Sequence, residues 1–385
     1  MKRKREVERN GDAARDLVVS EKVGDDCRGN FSMEIVWQTR ASPPTKLDYI
    51  FRDGRRHVRP YFFEFISHVK IRWVGKKIVD LFTDEFRGRP YDYYVMAVEC
   101  GRIKVDGEVV PISYTVKSNQ KISHFVHRHE PPVGSCNVSI LHEDDDVIAV
   151  CKPATIPVHP CGQYRKNTVV GILEAEHDLG PLFPVHRLDR LVSGLLIFAR
   201  NATKAEFFRQ EIEAGVVQKQ YIARVIGVFP SDEFVVNANI IHNPRDGKSS
   251  AEDGVLCTKG KASCTKFTRI STNGIHSIVL CKPITGRTHQ IRVHLQYCGH
   301  PIVNDDLYLS EHVPHKADRS ETMRFDVSDE HPPEDFEIDP LCTNCPNLIP
   351  KGYEDKEDGL WLHCMRYSGT DWMYECPLPD WAALS

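Results

Sequence analysis

At 385 residues, with a formal net charge of −4 and 41% hydrophobic against 27% charged residues, the chain can bury a sizeable core and has room for two domains. Nowhere does it reach the roughly 18 consecutive apolar residues of a membrane span, and its N-terminus lacks the apolar core of a leader peptide, so an intracellular protein, cytoplasmic or nuclear, is expected. The 13 cysteines are an odd number of mostly isolated residues, which fits reduced thiols better than a disulfide framework.

Residues 1–48 open with Lys2-Arg3-Lys4-Arg5 and stay polar with weak periodicity, which predicts a basic, disordered arm. Four basic residues are a thin match to a nuclear-import signal, and Glu6 and Glu8 argue against a mitochondrial presequence. Charge is uneven along the rest: residues 51–130 hold 15 Lys and Arg against 10 Asp and Glu, whereas 311–360 hold 5 against 14. A basic front can grip nucleic-acid phosphates whatever the overall sign, because such contacts act within a Debye length of about 10 Å, and a solvated charged surface is the equal alternative.

From about residue 69 the pattern turns regular. Ile78, Leu81, Phe82 and Phe86 recur at helical spacing, and Tyr94, Val95 and Val98 repeat the signal before Gly101 stops it. Residues 102–110 then hold two short apolar runs joined by Asp106-Gly107, a hairpin signal. Basic residues dot this helix, helix and hairpin, and Arg72, Lys76, Arg102 and Lys104 are read as RNA contacts. The second helix, the Ile103-Lys104-Val105-Asp106-Gly107 turn and the segment 116–122 resemble the S4 RNA-binding domain. Asp106-Gly107 and Asn119-Gln120 stand where that family usually has Asn-Gly and Gly-Asp. The resemblance implies an S4-like module with its linker over 49–136. The linker is placed at 124–132, where Pro131-Pro132 favours extended chain. His124, His127 and His129 are read there as solvent or phosphate contacts, with metal binding the less favoured alternative.

The large domain is expected over 137–309. Its elements are a strand at 146–150, a helix at 168–176, and a helix opened by Thr203-Lys204-Ala205-Glu206 and closed by Gly215. Strands follow at 220–228, 234–240, 262–270 and 275–281, and a helix at 288–298. This mixed order predicts an α+β fold with a mixed, largely antiparallel central sheet. Residues 310–340 are acidic and aperiodic and read as a flexible insertion. Residues 341–385 carry Trp361, Leu362, Tyr367, Trp372, Tyr374 and Trp381 and are expected to pack on the large domain. Cys342-x-x-Cys345, with His363, Cys364 and Cys376 beyond it, is a single ligand pair. Free thiols are the favoured reading, and a structural zinc near Cys342 and Cys345 is the alternative.

Chemistry concentrates at residues 183–200, where Asp189 lies between Arg187 and Arg190 ahead of the apolar run 195–199. Two cations favour an ionised carboxylate. Taken alone, the loop is equally a surface salt-bridge loop. Three further segments complete a pattern: 141–153, ending in Lys152-Pro153; 218–223, carrying Tyr221; and 282–295, carrying Thr285-Gly286-Arg287-Thr288-His289-Gln290-Ile291-Arg292. In this order, and with 301–308, they resemble the RluA family of pseudouridine synthases over about 138–308. Leu191-Val192-Ser193-Gly194 and Asn304-Asp305-Asp306 are mild departures from that family's pattern.

The resemblance implies an isomerase that turns uridine in RNA into pseudouridine without cofactor or metal. Asp189 resembles its catalytic aspartate, a carboxylate beside the ribose, with attack at C1′ and proton removal from C2′ both open. Arg287 resembles the arginine paired with it, and Tyr221 the aromatic residue that stacks on the uracil. Arg187 is placed to fill the gap left by the flipped base. His289, Arg292 and His294 are read as structural or phosphate-facing. The implied partner is RNA, with the tRNA anticodon loop first and messenger RNA second, and neither DNA nor membrane. The competing reading from another class is a non-catalytic RNA-binding protein of the same fold.

Overall fold

A computed structural model of the chain describes residues 15–20, 34–39, 43–86, 88–244, 246–252, 260–309, 336–353 and 357–384. Most of the acidic stretch, 310–335, lies outside the described residues, as do Lys2 to Arg5. Within the arm expected to be disordered, Arg15–Ser20 and Glu34–Thr39 pair as antiparallel strands. The β-branched residues in Leu17-Val18-Val19 and Ile35-Val36-Trp37 favour extended backbone, a bias the polar surroundings masked.

The helical spacing noted above produces α1 (Ile78–Glu85) and α2 (Tyr91–Glu99). They bury Ile78, Leu81, Phe82, Tyr94, Ala97 and Val98 against Ile103, Val105 and Ile122 of a four-stranded sheet. That sheet runs Tyr61–His68, Lys121–Arg128, Ile103–Val105, Glu108–Val109. Asp106 and Gly107 take φ of 52° and 87°, the left-handed pair that a tight two-residue hairpin requires.

The linker expectation is corrected. Residues up to Arg128 form a strand, Pro131 and Pro132 are buried, and Glu130, 2% exposed, is tied to the large domain. Its carboxylate accepts the backbone N–H groups of Arg165, Lys166 and Asn167 at 2.9, 2.9 and 3.0 Å and the Tyr61 hydroxyl at 2.6 Å. A buried carboxylate is tolerated only with such partners. Tyr49, Val58 and Val133, on either side of the small module, join Ile148, Val150 and Ile172 in one core cluster. The chain thus enters and leaves the module through the large domain's own core.

In the large domain, strand Val147–Lys152 pairs antiparallel with Ser193–Ala199. Successive strand side chains face opposite ways, so Val147, Ala149, Leu195, Ile197 and Ala199 enter one cluster and Ile148, Val150, Leu196 and Phe198 the other. Burying each of the larger residues contributes about 1.5–3 kcal/mol. α3 (Val169–His177) covers the second cluster with Val169, Ile172 and Leu173. α4 (Ala202–Glu213) and α5 (Gln290–Tyr297) cover the first with Phe208, Ile291 and Leu295. Asn201, not Thr203, caps α4, accepting the Lys204 N–H at 2.8 Å.

The main path of the ten-stranded sheet is Ser139–Glu143, Val147–Lys152, Ser193–Ala199, Leu362–Ser368, Gln218–Ile226, His276–Pro283, Cys264–Thr272, Phe234–Asn237. Among the described residues its one parallel pairing joins Ser193–Ala199 to Leu362–Ser368, so the sheet is mixed and largely antiparallel and the fold is α+β, as expected. The C-terminal segment does more than pack on the domain: it supplies a central strand. Gly194 makes this insertion possible. Its φ is 111°, and a Cβ there would collide with the Cys364 backbone.

Candidate active site

Asp189 sits in the turn that feeds strand Ser193–Ala199, with the Val192 N–H donating to its carbonyl at 3.1 Å. The end of the neighbouring strand fixes this turn. Lys152, 0% exposed, donates to the carbonyls of Pro153, Ile156 and Arg190 at 2.9, 2.7 and 3.0 Å. Burial pulls its pKa down to about 7, and Asp189 acts the other way. Three carbonyl acceptors match the three protons of an ammonium, so we assign the charged form.

The Asp189 side chain is 33% exposed. Its Oδ2 lies 3.4 Å from Arg292 Nη1 and 3.6 Å from His289 Nε2. Arg292 is in turn gripped by Asp305, 1% exposed on its side chain, through Nε and Nη2, each at 2.7 Å. This two-pronged carboxylate contact fixes the guanidinium plane. The Tyr308 ring lies 4.9 Å from the guanidinium carbon. The Tyr308 hydroxyl accepts the Ser249 N–H at 2.8 Å and meets His289 Nδ1 at 2.8 Å. His289 caps α5 with φ of +57°, a left-handed conformation that costs a non-glycine residue about 1–2 kcal/mol. Burial holds its imidazole below the usual range, although Asp189 pushes it upward.

The pairing expected for Arg287 is therefore corrected to Arg292. Arg287 precedes α5, is exposed, and donates its Nε to the Ala262 carbonyl at 3.3 Å. Arg292 lies in the first turn of α5, whose Gln290 to Leu295 are all buried. A buried arginine flanked by Ile291 and Val293 needs a charged partner, and that was the signal available in the sequence. Arg190 also turns away from Asp189, bridging Glu357 with both terminal nitrogens.

Tyr221 is 8% exposed and shares a core cluster with Leu188 and Val192, on either side of Asp189. Its hydroxyl is 3.0 Å from that of Tyr367, and burial raises its pKa well above 10.0. His186 stacks on Tyr367 with centroids 4.0 Å apart, and burial lowers its pKa to about 3. Arg187 is exposed at the turn. Of the cations read as RNA contacts, Arg72 pairs with Glu85, Lys76 with Asp84 and Arg102 with Asp339, while Lys104 is half-buried. All four lie in the small module.

A carboxylate backed by a fixed cation, with an exposed arginine on the same turn, can stabilise cationic charge on a bound sugar. The family model for RNA pseudouridylate synthase matches residues 146–297. The chain is 60% identical over 397 residues to RNA pseudouridine synthase 7 of Arabidopsis thaliana, covering 100% of both. It is 36% identical over 358 residues to the mitochondrial tRNA pseudouridine(32) synthase of Saccharomyces cerevisiae, covering 85% of this chain and 77% of that one. With the tRNA pseudouridine(31) synthase of the same yeast it shares 30% identity over 393 residues, covering 86% and 96%. The chain belongs to the RluA-type RNA pseudouridine synthases, the isomerases that convert uridine in RNA into pseudouridine.

Proposed function

We propose that this isomerase acts on a uridine of the tRNA anticodon loop, with messenger RNA as a second substrate, and that Asp189 is its catalytic carboxylate. The observation that carries the residue assignment is the line Asp305, Arg292, Asp189, in which a buried carboxylate holds the arginine that faces a partly exposed one. The names of two yeast relatives, both tRNA pseudouridine synthases, support the substrate class.

In the reaction the C1′–N1 bond breaks, the uracil turns over while bound, and C5 joins C1′. C5 then loses its proton and N1 gains one, so no atom is consumed. Bond cleavage leaves positive character on the ribose, which ionised Asp189 offsets either as nucleophile at C1′ or as base toward C2′. Arg292 aims the carboxylate through their 3.4 Å contact. Tyr221 stacks on the uracil from its strand, and its phenol remains protonated near neutral pH. Arg187, exposed on the same turn, fills the space of the flipped base, an event that costs a few kcal/mol.

The small module acts as an S4-like RNA platform in this reading. The Arg72 side chain stays 62% exposed within its ion pair, so a phosphate competes for it directly. The test is to incubate the protein with separate pools of unmodified tRNA and messenger RNA and to map pseudouridine by its bulky carbodiimide adduct. New adducts in tRNA anticodon loops are expected. Adducts confined to messenger RNA would overturn the substrate assignment.

A further inference from the structure

Strand Lys121–Arg128 carries His127, and His129 follows immediately after its end. Residues two apart on extended backbone project to the same side. The two imidazoles accordingly come together, with centroids 5.0 Å apart. The segment that meets them comes from the far end of the chain and brings Cys342 and Cys345. One ligand atom from each of these four residues lies within 4.8 Å of every other. Cys345 Sγ is 3.2 Å from His127 Nδ1 and 3.5 Å from His129 Nε2.

These spacings are those of a coordination sphere. Tetrahedral zinc, with Zn–S near 2.3 Å and Zn–N near 2.05 Å, places sulfur and nitrogen ligands about 3.6 Å apart. His129 has the orientation of a ligand: its remaining nitrogen, Nδ1, is 3.3 Å from the Leu348 carbonyl, which fixes the proton there and leaves Nε2 free to bind. His127, His129 and Cys342 are 1%, 3% and 8% exposed. Two thiolates and two neutral imidazoles around a divalent cation sum to zero charge, so burial of the set is not opposed by a net charge. The partners first considered for the Cys342 and Cys345 pair lie elsewhere: His363 and Cys364 belong to the central strand Leu362–Ser368.

We propose that His127, His129, Cys342 and Cys345 form a closed structural zinc site that staples the C-terminal segment to the small N-terminal module. All four positions are filled by protein, so the ion has no open site for substrate and takes no part in the isomerisation. Its effect on the active site is mechanical. The stapled segment continues into Leu362–Ser368, and Tyr367 on that strand touches both His186 and Tyr221. The Arg102–Asp339 ion pair, three residues before Cys342, reinforces the same junction.

The test is elemental analysis of the full chain, purified without chelator and without a metal-affinity step. About one zinc per chain is expected. The double variant Cys342→Ser, Cys345→Ser should lose it, and Cys136→Ser, at an exposed cysteine, should keep it. Because the double variant can fail to fold, cobalt is also exchanged into the wild-type chain, where thiolate-to-cobalt charge transfer and strong tetrahedral visible bands are expected. Zinc below about 0.1 per chain together with no thiolate charge transfer on cobalt addition would overturn the site. Either result leaves the isomerase assignment untouched.

Discussion

Arg292 and Arg287 stand five positions apart in one motif, and their substitution separates two accounts of how Asp189 is held. Arg292 Nη1 is 3.4 Å from Asp189 Oδ2. At that distance two unit charges interact by about 5 kcal/mol at an effective dielectric constant near 20. With the Asp189 side chain 33% exposed, screening reduces this to about 2–3 kcal/mol, or roughly a hundredfold in rate. Arg292→Gln alone also strands Asp305, 1% exposed, and an unpaired buried charge costs about 3–5 kcal/mol of stability. The double variant R292Q/D305N removes that second effect. Single-turnover pseudouridine formation at saturating enzyme, with folding checked by circular dichroism, should fall about a hundredfold in R292Q/D305N. In R287Q, at an exposed site, it should fall by no more than about fivefold. Equal losses in the two, or a near-wild-type rate in R292Q/D305N, would refute the pairing.

Three further outcomes follow from the same geometry. Glu130→Ala leaves three N–H groups of residues 165–167, two of them buried, without their acceptor, and calorimetry should show a loss of about 3–5 kcal/mol. Tyr221→Phe removes the hydroxyl contacts with Tyr367 and Cys364, so stability should drop by about 0.5–1.5 kcal/mol with turnover kept within about tenfold. A loss as large as that of an Asp189 variant would instead give the phenol a proton-transfer role. Burial lowers the pKa of His124 and His186 to about 3 and that of His363 to about 4. Each is neutral in the folded chain and protonates near 6.5 when unfolded, so stability is full above that pH and drains as pH falls toward the folded values. By pH 5 the loss is at most about 2 kcal/mol per histidine. A melting temperature flat between pH 7 and pH 5 would contradict their burial.

Much of the fold is legible where periodicity is strong and local. The strands around Val147 to Val150 and Leu195 to Ala199 are apolar on both faces, and α1 and α5 follow their apolar spacing. Strand Tyr61–His68 is less legible, because its Phe65 and Ile66 are exposed and no alternation survives. The place of Leu362–Ser368 at the centre of the sheet could not be read at all: pairing partners far apart in sequence leave no local trace, and only Gly194 marks the close approach. In the candidate site, motif order singled out Asp189 and Tyr221. Motif order does not say which of two arginines turns inward. That depends on where α5 begins, and helix starts are the least local part of a helical pattern. The histidine pair at 127 and 129 was likewise uninformative until a segment more than 200 positions away came beside it.

Asp189 is the carboxylate proposed to carry the isomerisation. The most direct measurement compares wild type with Asp189→Asn, a change that keeps the side-chain shape and removes its charge, by counting pseudouridine per tRNA after single-turnover incubation. Arg292 and Asp305 retain their mutual contacts in the variant, so tRNA binding and melting temperature should remain close to wild type. Pseudouridine formation should fall by at least about a thousandfold. A variant that still forms pseudouridine at the wild-type rate would contradict that role.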